Sequence, residues 1–284
     1  MSPRSLISVF ILSAAFVPQI ARAQYGLSSS SNSNALGYYS GTPASSPASD
    51  SHTGTVGPVS SSVGSYAGDL YEEGGGSASG TANYGSLKAA AGGGGEGGSG
   101  NGNDTSQWFD TLTITSATLS YGSPVILVAN AHYTGMLSVF VGNPLPNGIS
   151  SGLGSASVTF QSDIGAVPLS YNTSFSLGAS PFGVGTQTLP IDQTVQQSIT
   201  TYVGATLTLD SKITLLANGV GNGFKASGYG SGTVDSIFGV QSQTAGVSLT
   251  YASGFAAVPE PSALSLLVGM ATVGVAVLRK RRKE

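Results

Sequence analysis

From Trp108 onward the chain alternates apolar and polar residues in short runs broken by Gly, Pro, Asn and Asp. A period of two is the mark of a β-strand with one face buried. Thr111 to Tyr121 puts Leu112 and Ile114 on one face, then Ala117, Leu119 and Tyr121, with one slip of phase such as a bulge produces. Val125 to Ala129 is continuously apolar, as in a strand covered on both faces. Leu137, Val139 and Val141 alternate again before Gly142-Asn143-Pro144, and Val158 and Phe160 form a shorter piece. The clearest alternation is Val167, Leu169, Tyr171, Thr173, Phe175 and Leu177. Leu207, Leu209, Ile213 and Leu215 make another strand, closed by the turn dipeptide Asn218-Gly219. Gly228-Tyr229-Gly230-Ser231-Gly232 reads as a mobile loop ahead of the strand Val234 to Val240, and Val247 to Tyr251 completes the set. Thr194 to Thr201 stays open: Val195 and Ile199 sit at helical spacing, whereas the threonines favour strand or loop. Many short strands without a convincing helix predict an all-β chain. Its body, residues 104–256, is expected to be an antiparallel β-sandwich of jelly-roll-like form.

Upstream the alternation fades. Residues 24–103 are Ser, Gly, Ala, Thr and Asn with isolated tyrosines, and eight of the eleven residues from Gly92 to Gly102 are glycine. So little apolar surface does not offset the entropy of ordering a backbone, so this stretch is expected to be a mostly disordered Gly/Ser-rich linker. A short strand around Val56 to Tyr66 is the exception.

Composition narrows the function. Charged residues make up only 8% of the chain, there are 42 glycines and no cysteine. Disulfides, thiolate catalysis and cysteine-based zinc sites are therefore excluded. Most of the Lys and Arg lie near the two ends, which leaves Lys88, Lys212 and Lys225 in residues 24–258 against eleven Asp and Glu. Such an acidic body has no basic surface with which to neutralise phosphates, which argues against nucleic acid as a partner.

Both ends carry transport signals. Residues 1–23 have a basic start at Arg4, an apolar run from Leu6 to Val17, and small residues Ala21 and Ala23 at the −3 and −1 positions before Gln24. That is the layout of a secretory signal peptide cleaved after Ala23. Residues 257–284 contain Pro259-Glu260-Pro261, the uncharged run Ser262 to Leu278, and the basic cluster Arg279, Lys280, Arg281, Arg282 and Lys283. As one C-terminal transmembrane helix, Ser262 to Leu278 would just span a bilayer; the basic cluster would stop transfer and fix orientation.

The order Val258-Pro259-Glu260-Pro261-Ser262, the leucines at 264, 266 and 267, Gly269 and the terminal Arg/Lys run resembles the PEP-CTERM sorting signal of Gram-negative bacteria. The resemblance covers under a tenth of the chain. It implies recognition at Pro259, Glu260 and Pro261 by an exosortase-type membrane protease. It also implies an inner-membrane-anchored precursor whose exported part reaches the cell surface or exopolysaccharide matrix. The β-rich body opened by Trp108-Phe109-Asp110-Thr111 also resembles, loosely, those of such proteins.

Chemistry within the body is sparse. His52 lies in the expected linker, and His132 follows an apolar run. Serine is so abundant that a Ser/His/Asp triad drawn on the sequence has no weight. Asp163, Asp192, Asp210 and Asp235 lie near expected strand ends; a secreted glycoside hydrolase would need two of them about 5 Å apart. Gly97 to Asp104 is one imperfect copy of a calcium-binding nonapeptide, a site built only by stacked repeats. The expectation is a non-catalytic exported protein without cofactor or metal. The alternative is a polysaccharide-binding surface module using exposed aromatics such as Trp108 or Tyr229.

Overall fold

The structure is a computed structural model and describes residues 25–39, 42–68, 72–142, 151–178, 185–222 and 226–255. The signal peptide with Ala21 and Ala23, the box Pro259, Glu260 and Pro261, the apolar run and the cluster Arg279, Lys280, Arg281, Arg282 and Lys283 lie outside the described residues. No helix among the described residues is long and apolar enough to cross a membrane.

The described chain is all β. In order, its strands are β1 (Gly26–Tyr39), β2 (Thr42–Gly54), β3 (Val59–Gly68), β4 (Glu73–Asn83), β5 (Ser86–Glu96), β6 (Ser99–Ser116) and β7 (Pro124–Val141). They continue with β8 (Ser151–Ile164), β9 (Val167–Gly178), β10 (Gly185–Tyr202), β11 (Thr206–Asn222), β12 (Ser227–Ser242) and β13 (Val247–Tyr251). The first sheet runs β2-β1-β6-β11-β8-β9, with β13 also pairing β6; the second runs β10-β7-β12-β5-β4-β3. Every strand pairing is antiparallel. The sheets stack with β1 against β3 and β4, β11 against β5 and β12, and β9 against β7 and β10. This is an antiparallel β-sandwich, consistent with the jelly-roll-like body expected from the sequence.

Residues 26–103 depart from the expected linker. They form β1 to β5 and the start of β6, occupy both sheets, and contribute Leu27, Ala35, Ala82 and Leu87 to the buried core. The reason lies in a second period-2 signal, written in residue size. Along β5 the inward residues are Leu87, Ala89, Ala91, Gly93 and Gly95; along β8 they are Phe160, Val158, Ala156, Gly154 and Gly152. In β11 the series Ile213, Leu215, Ala217, Gly219 and Gly221 tapers the same way, and register aligns the small ends. The core is thus a wedge, thick where Trp108, Phe160 and Leu112 pack and thin where glycines face each other. At the thin end backbone meets backbone: a Cβ on Gly100 would stand 1.8 Å from the carbonyl oxygen of Gly75, and one on Gly102 1.9 Å from that of Ser77. Facing sheets normally stand about 10 Å apart, so only glycine permits this approach. Glycine here costs backbone entropy, and the close stacking of the sheets offsets it.

Other expectations move with it. Asn218-Gly219 is not a turn: it lies within β11, where Asn218 pairs with Asn101 and Ser155, and Gly219 faces the other sheet. Gly228 to Gly232 is not a loop but the first part of β12, its three glycines turned inward for the same reason. The phase slip after Ile114 is the end of β6 at Ser116, whose hydroxyl accepts the backbone N–H groups of Thr118 and Leu119. Thr194 to Thr201 is strand, part of the edge strand β10. In β7, Val125, Leu127 and Ala129 are buried while Ile126 is exposed, so the apolar run is only partly covered on its second face.

Candidate functional site

The outer face of the β10-β7-β12-β5-β4-β3 sheet carries an ordered pattern of side chains. Register places Tyr66, Gly75, Gly94, Tyr229, Phe140 and Thr186 in one line across its six strands. The next line is Gly64, Ser77, Gly92, Ser231, Ser138 and Thr188. Tyr66 is 59% exposed and Tyr229 38%. The Tyr229 and Phe140 rings lie 5.9 Å apart, tilted by 38°.

The glycines set how these rings lie. A Cβ on Gly94 would fall 1.9 Å from the Tyr229 ring, so the ring lies over the bare backbone of β5 while remaining partly exposed. At Gly75 the nearest atom to such a Cβ is 3.7 Å away, leaving open floor between Tyr229 and Tyr66. Beside this line the face is hollow, because its outward residues are small. Depressions of about 280 and 420 Å³ share Ser62, Ser79, Ala90 and Thr233, and Ser77 and Ser231 line the one nearer the rings.

Carboxylates rim the aromatic end. The Tyr66 hydroxyl donates to Glu73 Oε2 at 2.8 Å. Burial, and then the negative charges of Glu73 and Glu96, push the Tyr229 phenol above its usual range. At the other end of the hollow Lys88 Nζ lies 4.0 Å from Asp235 Oδ1, both exposed. Aromatic faces, a hydroxyl-lined floor and hydrogen-bonding carboxylates give this surface an apolar platform with polar groups around it.

Trp108 is not part of any surface. It is 1% exposed, with its ring 5.6 Å from Phe238 and 6.4 Å from Tyr84 in the thick part of the core. Its even-numbered position in β6 places it on the inward face with Leu112 and Ile114.

Each of the two histidines stands beside an aspartate. His132 Nε2 lies 2.9 Å from Asp192 Oδ1, a pairing across β7 and β10. His52, expected to be unplaced, sits in β2 with Nε2 2.8 Å from Asp50 Oδ1. Asp50 also accepts the Ser62 backbone N–H, which is the main cause holding its carboxyl below the usual value. Asp163 and Asp210 are direct cross-strand partners on the outer face of the other sheet. Gln107 Nε2 donates to both Asp210 oxygens at 2.9 and 3.0 Å, and Gln161 Nε2 to Asp163 Oδ2 at 2.7 Å. Burial first, and then the Asp163 charge, raise the Asp210 pKa. Asp163 and Asp210 are thus neighbouring carboxylates, on the sheet opposite the hollow. No group of three or more His, Cys, Asp or Glu among the described residues is arranged to hold a metal ion.

Sequence reasoning missed a further carboxylate. Asp104 is fully buried between the sheets. Ser31 Oγ donates to its Oδ1 at 2.7 Å, and Ser106 Oγ stands 3.2 Å from Oδ2 and 3.1 Å from the Lys88 carbonyl oxygen. Ser61 Oγ lies 2.7 Å from both Ser29 and Ser31, extending the chain of hydroxyls. Gly80 leaves the room: a Cβ there would sit 2.3 Å from Asp104 Oδ2. With only hydroxyls as partners, burial raises the Asp104 pKa to about 6. In the glycine-rich nonapeptide-like stretch Asp104 thus faces a serine network. The alternating serines at 29, 31 and 33 were the available signal.

No family model matches the chain, and no curated protein matches it. Among solved structures, a chain titled "Structure of infectious bursal disease virus Gx strain" is similar over 78% of this chain and 70% of that one, with 8% identity and a TM-score of 0.15. A likeness of that degree carries no argument.

Proposed function

We propose that this is a non-catalytic exported protein, sorted through its C-terminal Pro-Glu-Pro signal and displayed at the cell surface or in its matrix. The observation that carries the reading is the order of three physical elements in residues 257–284. A rigid Pro259-Glu260-Pro261 box precedes an uncharged run long enough to span, and five consecutive basic residues follow. Proline on both sides of Glu260 fixes two φ angles and removes two amide donors, which favours an extended segment accessible to a protease. The basic cluster is too costly to draw into hydrocarbon, so it holds the tail on the cytoplasmic side. In this account the exosortase-type enzyme cuts near the box. The sandwich, needing no disulfide, is then left outside the membrane. Replacing Pro259, Glu260 and Pro261 by alanine should leave uncut precursor in the inner membrane. Normal processing of that variant would refute the role of the box.

A second reading, a polysaccharide-binding surface module, is favoured by the line Tyr66, Tyr229 and Phe140 beside its hydroxyl-lined hollow. It is compatible with the first, since a matrix protein needs something to hold.

A further inference from the structure

We infer that the face between Tyr66 and Tyr229 takes an uncharged polysaccharide, its chain running across the strands from β3 towards β7. This rests on the polysaccharide reading and adds the class of ligand and its direction. The direction follows from register: Tyr66, Tyr229 and Phe140 share one line across the sheet, with Gly75 as open floor between the first two. Tyr66 and Tyr229 are three strand spacings apart, about 14 Å. A pyranose presents an apolar C–H face to an aromatic ring and hydroxyls at its edge. Here the rings meet the first need, and Ser77 and Ser231 in the adjoining line meet the second.

The class of ligand follows from charge. Glu73 and Glu96 lie near enough to Tyr229 to raise its pKa, so both fields reach the ring that a sugar would cover. A polyanion laid on this line would bring its own carboxylates or sulfates against them, which costs affinity. An uncharged chain meets no such penalty and gains hydrogen bonds from its hydroxyls to the same carboxylates.

The test is affinity electrophoresis of the full chain in detergent, through gels containing uncharged hydroxyethylcellulose or polyanionic alginate, at low and high salt. Retardation by hydroxyethylcellulose, insensitive to salt, is expected. Tyr229→Ala and Tyr66→Ala should each weaken it about tenfold, the size of one well-placed aromatic contact. Tyr121→Ala, an exposed aromatic elsewhere, should change nothing. Far-UV circular dichroism of each variant separates a lost site from a lost fold. Retardation by alginate in place of hydroxyethylcellulose would overturn the inferred charge class and leave the polysaccharide reading standing. Retardation by neither polymer, or retardation that both tyrosine variants retain, would overturn both.

Discussion

Asp104 offers a clean test of the packing, because its surroundings predict both a size and a sign. Its carboxyl is buried among Ser31, Ser61 and Ser106, and no cation among the described residues faces it; Lys88 contributes only its carbonyl, its ammonium lying outside near Asp235. The folded-state pKa is about 6 against an ordinary 3.8. A raised carboxyl pKa means that the folded protein binds the proton more tightly than the unfolded chain does. This group therefore favours folding most at low pH, and that contribution is lost as pH rises from the ordinary value through about 6. At about 1.36 kcal/mol per unit, the loss is about 3 kcal/mol at neutral pH. Asp104→Asn removes the charge and keeps a similar shape. Relative to wild type it should gain about 2–3 kcal/mol on going from pH 4 to pH 7.5. Urea unfolding of both proteins at the two pH values measures this, with equal slopes as the check that the same surface is exposed. A wild-type/variant difference independent of pH would refute the buried, unpaired state of Asp104.

Other perturbations probe the wedge and the surface. Gly100→Ala drives a Cβ into the Gly75 carbonyl and should cost at least about 2–3 kcal/mol by urea unfolding, as overpacking of a tight interior does. Gly57→Ala, at φ 72 but with nothing nearby, should cost about 1 kcal/mol. Trp108→Ala should destabilise by about 3–5 kcal/mol, whereas Tyr229→Ala should leave the unfolding midpoint nearly unchanged, separating the core aromatic from the surface one. Asp163→Asn and Asp210→Asn test the carboxylate pair: release of reducing sugar from polysaccharide by the wild type, abolished in either variant, would replace the non-catalytic reading with a hydrolase.

The strands after Trp108 were legible because their large inward residues, such as Leu209, Ile213 and Leu215, alternate with polar ones in the usual way. Before it only β3 was legible, as the short strand expected around Val56 to Tyr66. In β4 and β5 the contrast between faces is glycine and alanine against serine and lysine, which a reading based on apolar surface takes for low complexity. Glycine was read as freedom, whereas at Gly93, Gly100 and Gly219 it is required by an opposing backbone. Tyr229 was legible as an aromatic in a glycine-rich setting, but not its alignment with Phe140 and Tyr66. That line depends on pairings between strands distant in sequence, which no local pattern records. Trp108 was named as an exposed aromatic, yet it shares the even-numbered phase of Leu112 and Ile114, so the alternation along β6 itself turns it inward.

Intact-mass and terminal-peptide analysis of the protein from the cell-surface fraction tests the account most directly. The expected species begins at Gln24 and lacks Arg279 to Lys283, having been cut near Pro259-Glu260-Pro261. A surface species that retains both Met1 and Glu284 would contradict it.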